Sequence, residues 1–203
     1  MTVLYFKVMK IDPNNPNWNE RDRFLLSKGH ASAMLYATLA KRGFFPEEDL
    51  QKWGELDCHL QGHPDRLKTP GVDMNSGILG HGVSIGVGLC LAARQKRKDF
   101  RVYTLLGDGE CQAGLVWEGA NAAAKYALTN LVAIVDHNAV QLDGFVEEVM
   151  PIEPLAEKWR SFGWDVLEVD GHDVDQLYQA FLQCIEAQKK PTVIIARTIK
   201  GKG

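Results

Sequence analysis

The chain has no run of about eighteen apolar residues, which excludes a membrane-spanning helix. Cysteine is scarce. Cys58, Cys90, Cys111 and Cys184 are widely scattered, and no two form a C-x-x-C pair. A reduced, cytoplasmic protein is the simplest reading. Neither sign of charge dominates: 23 basic and 26 acidic residues are mixed along the chain, for a net charge of -3. No basic stripe points to nucleic acid, and no acidic block points to a solvating tail. A phosphorylated ligand would have to be held by local groups. The opening segment MTVLYFKVMKIDPNNP lacks the charged front, long apolar centre and cleavage site of a signal peptide. Repeats, low-complexity runs and long linkers are missing as well. No G-x-G-x-x-G follows a strand, which argues against a nicotinamide-binding protein.

What is present is a globular composition, 45% hydrophobic and 24% charged. The 203 residues suffice for one large domain with a substantial core. Apolar strands are expected at 23–27, 101–106, 131–136, 165–169 and 192–198. Helices are expected at 31–41, 46–53, 83–97, 116–126, 154–162 and 173–188, and 4–9 reads as the end of another. This alternation predicts an α/β fold, a parallel sheet flanked by helices on both faces. Ligands in such sheets sit at the carboxyl ends of the strands. Residues 54–80, rich in Gly and Pro, form a long irregular loop, which favours function. The glycines and alanines of VSIGVGLCLAARQKR predict close packing of that helix on a neighbour.

The sharpest signal is Gly107-Asp108-Gly109 directly after a strand. Asn138 stands thirty positions beyond Asp108, directly after the next strand, and Asp143-Gly144 follows. One helical crossover fills that interval. Two neighbouring parallel strands would therefore bring Asp108 and Asn138 side by side. A carboxylate and an amide oxygen are hard ligands that suit Mg²⁺, which also takes oxygens from a bound phosphate. The glycines let backbone amides approach a diphosphate, and the following helix can aim its amino end at the anion. Each half of the motif alone reads equally well as a turn; the two together do not.

The stretch GDGECQAGLVWEGANAAAKYALTNLVAIVDHNAVQLDG resembles the thiamine-diphosphate motif of transketolases. DRFLLSKGHASAMLYATLAKRG, LQGHPDRLKTPGVDMNSGILGHG, DGHDVDQL and KGKG extend the likeness over nearly the whole chain. It is nearest to the short amino-terminal subunits of split transketolases. The resemblance implies that Asp108, Asn138 and the carbonyl of Val140 hold the metal, Mg²⁺ or else Ca²⁺ or Mn²⁺. It implies that His30, Gly107 and Gly109 face the diphosphate, and that His63 meets the substrate oxygen and the reacting carbon. Gly77 and Leu79 would grip the aminopyrimidine through backbone atoms. His30 and His63 are thus the catalytic candidates. The implied activity is transfer of a two-carbon ketol group between ketose and aldose phosphates. The implied partner is a separate pyrimidine-binding carboxy-terminal subunit, in a dimer of heterodimers. On the same likeness residues 1–203 form one diphosphate-binding domain, truncated at both ends.

The other histidines are read as local. His59 and His63 with Cys58 lack the further ligands that zinc requires. His172 suits a structural cap. His81 and His137 stand where the family carries other polar residues. Ala113 occupies the position of a family glutamate that belongs to a carboxylate network between sites; Glu118 reads as structural or interfacial. Ala113-Gly114 also resembles deoxyxylulose-phosphate synthases. The alternatives are that relationship, a 2-oxoacid-decarboxylating enzyme and a non-catalytic transketolase-like subunit.

Overall fold

Each strand of the sheet divides its side chains between two apolar layers, as period-two alternation requires. In Leu131–His137, Leu131, Ala133 and Val135 enter one core, while Val132 and Ile134 enter the other. In Thr192–Arg197, Val193 and Ile195 face the first core and Ile194 the second. Strands buried on both faces are continuous apolar runs, which is why they were legible in the sequence. The computed structural model describes residues 1–142, 144–186 and 189–202.

In chain order the elements are β1 (Arg23–Leu26), α1 (Ser32–Lys41), α2 (Gly82–Gln95), β2 (Val102–Gly107) and α3 (Gly114–Lys125). They continue with β3 (Leu131–His137), β4 (Val140–Gln141), β5 (Gly144–Phe145), α4 (Val146–Val149), α5 (Leu155–Ser161), β6 (Asp165–Asp170), α6 (Val174–Glu186) and β7 (Thr192–Arg197). Five strands make one parallel sheet in the order β1-β2-β3-β7-β6. Helices α2, α3 and α5 cover one face, and α1, α6 and the amino-terminal turn cover the other. The expected parallel sheet between helical layers is therefore the observed one.

Residues 2–8 are helical, as expected, and end in the π-helical stretch Leu4–Val8, closed by Met9 N–H donating to the Leu4 carbonyl at 2.8 Å. The expected short helix at 46–53 is the 3₁₀ helix Glu47–Lys52; it buries no residue, so no apolar stripe holds it in a longer helical form. A short 3₁₀ turn, Gly109–Gln112, precedes α3, which starts at Gly114, slightly ahead of the expected 116. The region 54–80 has no regular element, as expected. Asp143 and residues 187–188 of the expected last helix lie outside the described residues.

Small residues place α2 against the sheet and against α3. A Cβ on Gly86 would lie 2.8 Å from Leu131 Cδ1, and one on Gly119 would lie 2.8 Å from Ser84 Oγ. At the amino end of α2, a Cβ on Gly82 would lie 2.5 Å from Ser27 Cβ and 2.7 Å from Thr104 Cγ2. Gly88, on the exposed side, would meet nothing within 4 Å. Urea unfolding should therefore separate the two positions. Gly82→Ala should destabilise by about 1–3 kcal/mol through overpacking. Gly88→Ala should stabilise by up to about 1 kcal/mol through helix propensity. Equal effects at both positions would contradict this packing.

Candidate functional site

Three strand ends meet at one edge of the sheet. Strands β2 and β3 are adjacent and parallel, with Gly107 in register with Asp136. Asp108 and Asn138 therefore emerge beside each other, as the spacing predicted. Asp108 is buried, at 1% exposure. Its Oδ1 accepts from Gly109 N–H at 2.7 Å and its Oδ2 from Ala139 N–H at 2.5 Å. Burial pushes this carboxyl above its ordinary pKa, and the two backbone donors oppose that shift. Asn138 Nδ2 donates to Asp136 Oδ2 at 3.0 Å, and Asn138 Oδ1 accepts from Val140 N–H at 3.0 Å. Ala139 between them has φ +60°, a left-handed conformation unusual for a residue with a side chain. The β4–β5 hairpin then folds the chain back at Val140.

The donors that the family resemblance implies here are all oxygen: the Asp108 carboxylate, the Asn138 amide carbonyl and the Val140 main-chain carbonyl. Such a set fits a hard divalent cation that also takes phosphate oxygens. A cation beside Asp108 would offset the cost of burying its charge. Among the described residues no three His, Cys, Asp or Glu side chains group as a metal cluster. His59 Nε2 lies 3.2 Å from Asp49 Oδ2, and Cys58 Sγ accepts from Leu60 N–H at 3.4 Å.

The two glycines of the motif differ. A Cβ on Gly107 would meet nothing within 4 Å, so its backbone is open to a close ligand. A Cβ on Gly109 would lie 2.7 Å from Gln141 Oε1, so this glycine admits the Gln141 side chain. Both amides are already engaged. Gly109 N–H serves Asp108, and Gly107 N–H donates to Glu110 Oε2 at 3.0 Å.

Glu110 is one of four residues in the site that sequence reasoning did not single out. It is 5% exposed. Its Oε1 accepts from Ser27 Oγ and from Gly80 N–H, the latter at 2.7 Å. Ser27, the second of the four, in turn accepts at Oγ from Gly82 N–H at 3.0 Å. The other two are Lys28 and Asp136, joined at 2.5 Å across the end of β2. Asp136 Oδ1 also accepts from Thr198 Oγ1, just past β7. Burial would raise the Asp136 carboxyl, but Lys28 and Thr198 outweigh it and hold it below its ordinary range. The motif strings contain all four residues. Only the strand order reveals that they converge.

The histidine loop meets the same corner from above β1. His30 and His63 are both exposed. Gly77 has φ +146°, and a Cβ there would lie 3.6 Å from two ring carbons of His63. A Cβ on Gly29 would lie 2.7 Å from Ser76 Oγ and 2.9 Å from Gly77 N. Hence His30, His63 and Gly77 are brought together. Partial burial, then the charge of Lys28, lowers the His30 pKa. Ile78 and Leu79 are 72% and 45% exposed and form an apolar shelf beside them. His172 is structural, as expected: Ile199 N–H donates to its Nε2 at 2.9 Å. His81 Nδ1 lies 3.2 Å from the Leu79 carbonyl, and His137 Nε2 lies 3.2 Å from Glu153 Oε1. Glu118 is exposed on α3.

The family profile described as "Transketolase, thiamine diphosphate binding domain" matches residues 1–203. The chain belongs to that family. It is 46% identical over 203 residues to a 6-deoxy-6-sulfo-D-fructose transketolase subunit of Clostridium sp., covering 100% of this chain and 74% of that protein. It is 43% identical to an apulose-4-phosphate transketolase subunit of Phocaeicola vulgatus, covering 100% of this chain and 72% of that one. Transketolase from Leishmania mexicana superposes with a TM-score of 0.92 at 32% identity, over 97% of this chain and 31% of that chain. The chain thus spans under a third of that solved transketolase. It corresponds to the amino-terminal, thiamine-diphosphate-binding portion, which the split transketolases carry as a subunit of its own. Both the family and the fold expected from the motifs hold.

Removing the buried carboxylate tests the corner directly. Glu110→Ala leaves Gly80 N–H, Gly107 N–H and Ser27 Oγ without their acceptor. It should cost roughly 2–4 kcal/mol in urea unfolding, since each unsatisfied buried group costs about 1–3 kcal/mol. Glu110→Gln, which keeps one acceptor oxygen, should cost less. An unchanged midpoint in Glu110→Ala would contradict this role.

Proposed function

We propose that this chain is the diphosphate- and Mg²⁺-binding subunit of a transketolase that moves a two-carbon ketol group between ketose and aldose phosphates. The observation that carries this reading is the oxygen corner formed by Asp108, Asn138 and Val140 at adjacent parallel strand ends. On this reading these three hold the cation, which is Mg²⁺ or, in its place, Ca²⁺ or Mn²⁺. Gly107, whose backbone is open to a close ligand, and Gly109 face the diphosphate. His30 donates a ring N–H to a diphosphate oxygen. Gly77 and Leu79 border the aminopyrimidine. Thiamine diphosphate, when bound, supplies the electron sink for breaking and forming the carbon–carbon bond. His63 presents a ring N–H to the substrate oxygen on which negative charge develops, the role of a preorganised donor.

The partner in this reading is a pyrimidine-binding carboxy-terminal subunit, within a dimer of heterodimers. That partner supplies the glutamate that activates the cofactor. The exposed Ile78 and Leu79 suit an apolar contact of this kind. The relatives named for 6-deoxy-6-sulfo-D-fructose and apulose 4-phosphate favour a donor ketose that ends in an anion. We place the reaction in the cytoplasm; among the described residues no helix is long and apolar enough to cross a membrane. Ala113 is a departure from the family pattern. Its methyl packs against Gly80, and the neighbouring Gln112 is bonded to Gln141 and to the Met150 carbonyl. The position therefore carries no carboxylate to relay a proton between sites.

Asp108→Ala removes the only charged ligand of the three. Calorimetry of the chain together with its pyrimidine-binding partner should show Mg²⁺-dependent thiamine-diphosphate binding in the wild type and none in the variant. Unchanged affinity would remove Asp108 from the site.

A further inference from the structure

Helix α1 does more than follow His30. It projects two buried hydroxyls, Ser32 and Tyr36, one helical turn apart and so on the same face. They are 0% and 1% exposed. Ser32 Oγ donates to the Gly62 carbonyl at 2.8 Å, and Tyr36 OH donates to the Gln61 carbonyl at 2.7 Å. These carbonyls belong to the two residues immediately before His63. We propose that Ser32 and Tyr36 are positioning residues for His63. The inference rests on the reading that His63 meets the substrate.

Packing does not fix this part of the loop. Gly62 is exposed, and a Cβ there would meet nothing within 4 Å. The hydrogen bond from Ser32 therefore bears on the direction of the peptide that leads into His63, and the Gln61 carbonyl receives Tyr36 OH at 2.7 Å with Trp53 Nε1 farther off at 3.4 Å. On the other side, Pro64 is buried and its carbonyl accepts from Ser76 N–H at 3.2 Å. His63 is therefore an exposed knuckle between two anchored points, with its ring against Gly77. Its own side chain needs no rigid contact, because the backbone on either side is held. The deeper part of the loop has separate anchors: Leu60 is fully buried, and Thr69 Oγ1 donates to the His59 carbonyl at 2.6 Å. Losing a hydroxyl of α1 should thus disturb His63 while leaving the loop folded. His30 lies in the 3₁₀ turn Gly29–Ala31 that runs directly into the same helix, so both histidines are tied to one element. That is the economy expected where a reacting group must be held to a fraction of an ångström.

The test is a double-mutant cycle on the chain with its pyrimidine-binding partner. Tyr36→Phe keeps the ring and Ser32→Ala keeps the backbone, so each removes one donor with little change of volume. His63→Ala should lower kcat by about 10²- to 10³-fold, as loss of such a donor does. Tyr36→Phe and Ser32→Ala should each lower kcat by roughly 10-fold, the scale of a small misplacement. KM and thiamine-diphosphate affinity should stay within about 2-fold, since the cofactor-holding groups are untouched. In the His63→Ala background the two substitutions should have no further effect. A second readout needs neither cofactor nor turnover. In the isolated chain the His63 ring cross-peak in proton–carbon NMR should move in both variants, while that of His172 stays. Losses that multiply with His63→Ala, or an unmoved His63 cross-peak, would overturn the proposal. Near-normal kcat in His63→Ala would overturn the reading of His63 beneath it, and is distinguishable because it appears in the single variant.

Discussion

A buried carboxylate that must find its donors organises this site. Glu110 takes hydrogen bonds from Ser27 after β1, Gly80 in the glycine-rich turn and Gly107 at the end of β2. An ionised carboxylate out of water is costly unless its lone pairs are filled. Filling them here requires three chain segments to meet at one point. The glycines are the geometric condition. Gly82 lets its N–H reach Ser27, and Gly80 has φ +87°, which a side chain would resist. Once this junction forms, the turn carrying Gly77 and Leu79 is fixed relative to the strand ends that carry Asp108.

A second carboxylate extends the order across the sheet. Asp136 joins Lys28 beyond β1 to Thr198 beyond β7, and it also holds the amide of Asn138. With Nδ2 occupied by Asp136, the amide of Asn138 is oriented before any ligand arrives. In the proposed metal site this contact would serve as outer-shell support for Asn138. The Ala139 backbone, at φ +60°, bears local strain of about 1–3 kcal/mol. It is held there by Ala139 N–H on Asp108 and by Val146 N–H on the Ala139 carbonyl. The strained residue lies between the two proposed ligands Asn138 and Val140, where a turn of the chain wraps the buried carboxylate.

Much of this was legible in the sequence, for physical reasons. Strands buried on both faces are uninterrupted apolar runs, and the crossover between Asp108 and Asn138 left one economical arrangement, adjacent parallel strands. The loop 54–80 announced itself through Gly and Pro. Other features carry no periodic signal. The β4–β5 hairpin has two residues per strand, too few for alternation to register. The 3₁₀ helix Glu47–Lys52 has helical composition but no apolar face, so its form is set by the chain on either side. Glu110 sat inside the motif string, yet its importance depends on Ser27 and Gly80, which are distant in sequence. Ser32 and Tyr36 read as ordinary helix residues until the loop they hold is in place. Sequence reasoning recovers what neighbours along the chain decide. It misses what distant polar partners decide.

The central claim is that this chain supplies one half of a divided catalytic site. Its direct test is reconstitution. The purified chain, given Mg²⁺, thiamine diphosphate, xylulose 5-phosphate and ribose 5-phosphate, should show no ketol transfer alone. Addition of the pyrimidine-binding subunit should produce it. Clear turnover by the chain alone would contradict the divided site, and with it the reading that the activating glutamate comes from a partner.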